Sequence, residues 1–212
     1  MSSQSFAATE FVVRTIAQTS CDNEKRFGDL DAVVGDGDFG YSLARGFEVI
    51  LADWDSYDRS DIGTFLQKIA IAITNRIGGT SGPIWGTAFL RAGGKLKGHD
   101  EISGAEVITA LRAAAEGIQA RGGAALGDKT LLDALVPATD VLETKLTEGV
   151  SAAEALEASA IAAEAAAEAT TSMQAMRGRA AYTGERSIGS VDPGAVAVAV
   201  IFRRLSDEWT SR

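Results

Sequence analysis

The sequence predicts an all-α protein, and three observations carry that prediction. Only three prolines interrupt 212 residues, and alanine, the strongest helix former, is abundant. Capping residues and glycines cut the chain at intervals of helix length, and apolar side chains between these cuts recur at helical spacing.

Eight helices follow from these signals. The first covers residues 4–19, with Phe6, Phe11, Val12 and Ile16 near one face. The second, residues 40–54, follows a loop rich in Asp and Gly. Ser60 and Asp61 cap the third, residues 61–76, whose Ile62, Phe65, Leu66, Ile69 and Ile73 form one stripe. The fourth, residues 81–97, carries Pro83 in its first turn, where the missing N–H costs nothing. Ser103 and Glu106 form the S-x-x-E capping box that opens the fifth, which stops at Gly122 and Gly123. Asp128 is the expected cap of the sixth, with Leu131, Leu132, Leu135 and Val136 as its apolar face. Ser151 and Glu154 repeat the capping box ahead of an alanine-rich seventh helix reaching residue 176. Asp192 and Pro193 open the eighth, residues 193–209; residues 195–202 alternate Val and Ala and also fit a buried strand. Short connections imply antiparallel packing of neighbours in an up-and-down bundle. Two connections, residues 21–40 and 177–191, are longer and rich in Gly, Asp and Arg, the kind of segment that carries function.

With 46% hydrophobic residues the chain can bury a sizeable core, and no composition shift marks a second one, so a single domain over residues 1–212 is expected. A net charge of −9 excludes the basic footprint of a nucleic-acid or anionic-membrane binder. The lone cysteine, Cys21, has no disulfide partner within the chain and reads as a structural small hydrophobe, in keeping with a reducing compartment. The N-terminal segment lacks a basic stretch followed by an apolar run, as a secretory signal requires. The longest apolar run, residues 195–202, is too short to span a bilayer. A cytoplasmic protein is therefore expected.

Chemistry concentrates in four connections and one helix start. Asp31, Asp36 and Asp38 place three carboxylates within eight positions, among Gly35, Gly37 and Gly40. Oxygen ligands at that density suit a hard cation such as Mg²⁺ alongside a phosphate chain. The spacing is not that of an EF-hand, since the twelfth residue from Asp31 is Ser42 rather than glutamate. The segment GGTSGP, residues 78–83, sets Thr80 and Ser81 at a helix N-terminus, where N–H groups and the helix dipole receive anions. GDKT, residues 127–130, offers a cation beside amide and hydroxyl donors at another helix start. GRAAYTGERSIG, residues 178–189, carries Arg179 and Arg186, with Arg177 just before it, suited to forked phosphate contacts, and Tyr182, suited to packing on a base or ribose. Each segment alone is also compatible with an ordinary turn or a solvated face. His99 is the only histidine and sits in a turn away from these segments, which excludes a Ser-His or Cys-His triad and leaves chemistry done by metal and positioning.

Taken in register, GDGDFG (35–40), GGTSGP, GDKT, GRAAYTGERSIG and DPGA (192–195) resemble the L-subunit family of dihydroxyacetone kinases over essentially the whole chain. The resemblance implies an eight-helix antiparallel barrel that holds ADP or ATP through two Mg²⁺ ions in the loops at one end. It implies Asp31, Asp36 and Asp38 as metal ligands, Thr80 and Ser81 as phosphate contacts, and Gly122, Leu131, Arg179, Asp192, Pro193 and Gly194 around the rest of the nucleotide. Asp31, Asp36, Asp38 and Arg179 would then carry catalysis. The ketose, dihydroxyacetone or a relative such as erythrulose, would be held by a separate K subunit, in a homodimer or hetero-oligomer. Phe39 and Ser42 line the same loop where forms served by a phosphohistidine relay protein commonly have His and Asn. A phenyl ring neither ionises nor donates a hydrogen bond, which favours ATP over the relay as phosphoryl donor. Two other functions fit the same loops: a non-catalytic ADP-sensing module that binds a transcription regulator, and a Mg-dependent phosphatase.

Overall fold

The computed structural model describes residues 3–211; Met1 and Ser2, which open the segment read above for a secretory signal, lie outside the described residues, as does Arg212. The described residues form nine α-helices and no strand: α1 (Gln4–Asp22), α2 (Glu24–Asp31), α3 (Phe39–Ala52), α4 (Ile62–Arg76), α5 (Ser81–Lys95), α6 (Gly104–Gly122), α7 (Leu132–Thr147), α8 (Ala152–Ala169) and α9 (Pro193–Glu208). The caps read from sequence are largely the ones used. Asp61 accepts from the Thr64 N–H, both capping boxes close, and Asp192 accepts from the Ala195 N–H at 2.7 Å with Pro193 opening α9. Residues 195–202 are helical, so the strand alternative does not hold.

Eight of the helices close a ring. α1 packs on α3, each later helix packs on the next, and α9 returns to α1. Their buried faces share one core with Phe27 of α2, anchored by Phe27, Phe47, Phe65, Ile62, Ile69 and Ile73, all 0% exposed. Ala155, Ala160 and Ala163 of α8 are 0% exposed too, and their small side chains let α8 approach both α7 and α9 closely. No helix of the described residues is long and apolar enough to cross a membrane.

Three boundaries differ from the sequence expectation. The connection at residues 21–40 is not all loop, because α2 occupies much of it. Only Phe27 of α2 is buried, so the helix has no apolar period to detect; Phe27 and contact with α3 hold it. The seventh predicted helix ends at Ala169 rather than residue 176, because the Thr170 hydroxyl turns back to the Ala167 carbonyl at 2.6 Å and accepts the Asp192 N–H at 2.8 Å. Asp128 does not cap α7: its carboxylate accepts the Ala125 N–H, and α7 begins four residues later.

Alternating helix direction sends every second connection to the same end of the ring. The starts of α1, α4 and the α5–α6 connection meet at one end, where Ser5 donates to Glu101 at 2.6 Å and the Ile62 N–H to the His99 carbonyl at 3.0 Å. The opposite end collects the connections that carry the aspartates, GGTSGP, GDKT and the arginines.

Candidate functional site

At that end, Asp31 closes α2, Asp38 immediately precedes α3, and Asp36 lies on the turn between. One carboxylate oxygen from each falls within 4.8 Å of the others. The turn is built for this. The Gly35 N–H donates to the Asp31 carbonyl at 2.6 Å, and the Phe39 N–H to Asp31 Oδ2 at 3.3 Å. Gly37 has φ +78°, a left-handed conformation that glycine enters without penalty. Buried Gly40 lets the backbones of α2 and α3 meet, since a Cβ there would overlap the Glu24 carbonyl oxygen. That close crossing brings the two aspartate-bearing helix ends together.

Arg179 enters from the segment between α8 and α9. Its guanidinium pairs with Asp36 and lies 3.4 Å from Asp38 Oδ2, with the three side chains about half exposed. A charged group therefore already bridges two of the carboxylates. The donor set fits a divalent cation: hard oxygens only, converging from three residues.

The other predicted residues surround this cluster in two groups. Ser42, on α3, faces Gly78, whose Cβ position lies 3.8 Å from the Ser42 hydroxyl. Beyond Gly79 (φ +63°) the exposed Thr80 precedes α5 and Ser81 starts it, with no side-chain cap on the first N–H groups. Gly122 ends α6 against Ile84 of α5. Across the ring Leu131 abuts Gly194, and Asp192 and Pro193 start α9 beside them. Burial is the largest influence on the Asp192 carboxyl and pushes its pKa up to about 7, helped by the Asp133 carboxylate and opposed by the Ala195 N–H and Lys129. Phe39 turns its ring onto Phe27, centroids 6.0 Å apart, so it packs the α2–α3 junction and offers the loop its backbone N–H. Tyr182 is 90% exposed, stacked on nothing.

Two side chains behave differently from their sequence reading. Lys129, read as a cation facing the loops, is buried and directed at carbonyls of residues 173–190. Arg177, grouped with Arg179, pairs with Asp128 at 3.0 Å instead. One organiser was missed. Asp133 is buried, accepting the Gly127 N–H at 2.5 Å and the Thr130 N–H at 2.7 Å, and so shapes the whole α6–α7 connection. Its spacing from Thr130, T-x-x-D, was the signal available.

Residues 33–207 match the family model of the DAK2 domain. The ADP-binding subunit DhaL of the PEP-dependent dihydroxyacetone kinase of Escherichia coli K12 is 38% identical over 177 residues, covering 84% of each chain. The L-erythrulose 1-kinase of Mycolicibacterium smegmatis is 37% identical over 201 residues, 94% of this chain and 35% of that one. The crystal structure of the dihydroxyacetone kinase from C. freundii in complex with AMP-PNP and Mg²⁺ superposes with a TM-score of 0.77 at 29% identity, over 95% of this chain and 34% of that chain. The chain thus spans most of the first relative and about a third of each longer kinase.

Proposed function

Because the chain belongs to the DAK2 domain family, we propose that it is the nucleotide-holding part of a two-component kinase, presenting Mg-ADP/ATP to dihydroxyacetone or a related short ketose on a separate K subunit. The observation that carries this reading is the convergence of Asp31, Asp36 and Asp38 with Arg179 at the loop end. Carboxylates from the ends of two helices would hold two Mg²⁺ ions. Bound there, the metal supplies neutralisation of charge on the phosphate oxygens. The remaining work belongs to the chain. Thr80 and Ser81, with the free N–H groups of the α5 start, orient phosphate oxygens. Arg179, displaced from the carboxylates, forks onto the phosphate being transferred. Gly122, Leu131, Asp192, Pro193 and Gly194 wall the nucleotide on the α6–α9 side. The whole chain, residues 1–212, acts as one nucleotide-binding domain.

A protein partner suits the same end. Of the nine exposed large hydrophobic residues among those described, Val33, Tyr41, Leu126, Met176, Tyr182 and Ile188 belong to its loops or to the helix turn beside them. Clustered apolar exposure of this kind marks a contact surface, and docking of the K subunit over it makes the assembly a hetero-oligomer. ATP is the proposed donor, because Phe39 packs on Phe27 and gives a relay no hydrogen-bonding group.

The double variant Asp36→Ala/Asp38→Ala tests the metal assignment. Calorimetry should show loss of Mg-dependent ADP binding while the helical circular dichroism is kept; tight binding by the variant would contradict the reading. Incubation of purified protein with labelled ATP tests the donor. Free exchange is expected, and retained, non-exchanging ADP would point to the relay instead.

A further inference from the structure

Lys129 is buried, 3% exposed, and has the only positive φ (+62°) of any non-glycine residue described. A left-handed backbone is costly for a residue with a Cβ, and burial of an ammonium adds to that; both persist only where the surroundings compensate. Here they do. Its Nζ donates to the carbonyls of Met173 (3.2 Å), Ser190 (2.6 Å) and Ser187. Three acceptors exhaust the three N–H groups of an ammonium, leaving none for a phosphate.

The preceding residue grips the same segment. The Asp128 carbonyl accepts the Met176 N–H at 3.0 Å, and its carboxylate accepts Arg177 Nε at 3.0 Å. Two consecutive residues therefore bind both the outgoing limb of the excursion (Met173, Met176, Arg177) and its return (Ser187, Ser190). Between those anchor points the segment has little apolar hold: Ala175 is buried, but Met176 and Tyr182 are exposed. It turns at Gly178 (φ +63°) and Gly184 (φ +58°), and Ser187 ties the excursion internally by accepting the Ala175 N–H at 2.8 Å and donating to the Gly184 carbonyl at 2.6 Å. Arg179 follows Gly178 directly. Its position over Asp36 and Asp38 thus depends on how firmly the base of the excursion is held.

We propose that Asp128 and Lys129 form a clamp that positions Arg179 over the aspartate cluster, Lys129 being a positioning residue for the phosphoryl transfer assigned above and not a ligand of the nucleotide. The inference rests on that functional reading for its consequence, but the clamp itself is testable without it. Burial lowers the Lys129 pKa, and the Asp192 carboxylate opposes that shift.

The test uses Lys129→Met, which keeps length and removes all three donors. Trypsin cleavage after Arg177, Arg179 and Arg186, followed by mass spectrometry on the full chain, should accelerate about tenfold or more, because cleavage follows the population of the opened segment. Thermal melting reports the rest of the fold separately. Mg-ADP affinity should fall in Lys129→Met and in Arg179→Gln, and the double variant should bind no more weakly than the worse single one, as residues acting through one another do. Unchanged cleavage, or losses in the double variant that multiply, would overturn the clamp. If Lys129→Met does not fold, Asp128→Asn, which can still accept the Ala125 N–H while losing its charge on Arg177, should show the same cleavage sites exposed; a protected segment there overturns it equally. Wild-type protein that binds no Mg-ADP would refute the functional reading, while the cleavage rates still judge the clamp.

Discussion

Gly40→Ala tests whether the close crossing of α2 and α3 builds the aspartate turn. A Cβ at Gly40 would overlap the Glu24 carbonyl oxygen and lie 2.5 Å from the Gly28 nitrogen and 3.0 Å from the Glu24 carbonyl carbon. All three are backbone atoms of α2, so no rotamer change relieves the clash. The two helices must separate, and because every clashing atom is backbone the overpacking cost falls in the upper part of the usual range, about 2–3 kcal/mol. Alanine returns about 0.5–1 kcal/mol through its higher helix propensity, leaving a net loss of about 1–2.5 kcal/mol. For a chain of this size each kcal/mol moves the midpoint by about 2–4 °C, so Tm should fall by about 2–10 °C. Gly94→Ala is the matched control. It stands exposed on α5 with only the Gln67 side-chain nitrogen, at 4.0 Å, near its Cβ position, so the propensity gain goes unopposed and Tm should rise by about 1–4 °C. Circular dichroism melts at pH 7 measure both. Magnesium titration of the folded Gly40→Ala protein should also show weaker Mg-ADP binding, because Asp31 moves with α2 while Asp38 stays with α3. A Gly40→Ala protein melting at or above wild type would refute the packing argument.

Asp192 gives a pH signature. Its folded pKa, near 7, lies above the ordinary carboxyl value of about 3.9, so its protonation favours the folded state: that contribution is complete below about pH 4 and is lost as pH rises through 7. Asp192→Asn keeps a side-chain acceptor for the α9 start without the charge; the difference in unfolding free energy between variant and wild type should grow from pH 5 to pH 8, and a pH-independent difference would refute the shift. Burial, aided by Glu48 and Asp22, pushes the Cys21 thiol up to about 11. At pH 8 its reaction with a disulfide reagent should be far slower in native than in denatured protein, and equal rates would show the thiolate is not suppressed.

The ring was legible because its helices are long, capped and striped with apolar residues. α2 was not, because a single buried phenylalanine leaves no period to read. The overlong α8 came from an alanine run that offers no stop signal; Thr170 ends it through a bond to Asp192, 22 residues away. The same division holds at the candidate site. Aspartate spacing and the arginine-bearing segment could be read locally, whereas the inward turn of Lys129 depends on a carbonyl 58 residues away. The parting of Arg177 from Arg179 depends on Asp128, which lies 49 residues from Arg177. Local pattern thus named the groups; long-range bonds decided which of them face the loops and which hold the frame.

The spacing of the motifs along the chain follows from the ring itself. Asp36, Thr80, Lys129 and Arg179 are separated by 44, 49 and 50 positions, in each case two ring helices and their connections. In an up-and-down ring, two helices are one full excursion to the far end and back. Segments recurring at that interval must therefore return to the same end, whatever their residues. The intervening α5–α6 and α7–α8 connections carry no clustered Asp, Arg or Gly-rich motif, and the α3–α4 connection, which does hold Asp53, Asp55, Asp58 and Asp61, has no glycine among them and spends Asp58 on the Ser60 N–H and Asp61 on the cap of α4. The proposed site thus draws on every second connection. A segment that looks like an ordinary turn in isolation gains meaning from its place in that alternation. The contacts of Arg179 with Asp36 and of Lys129 with Ser190 show the return completed in space.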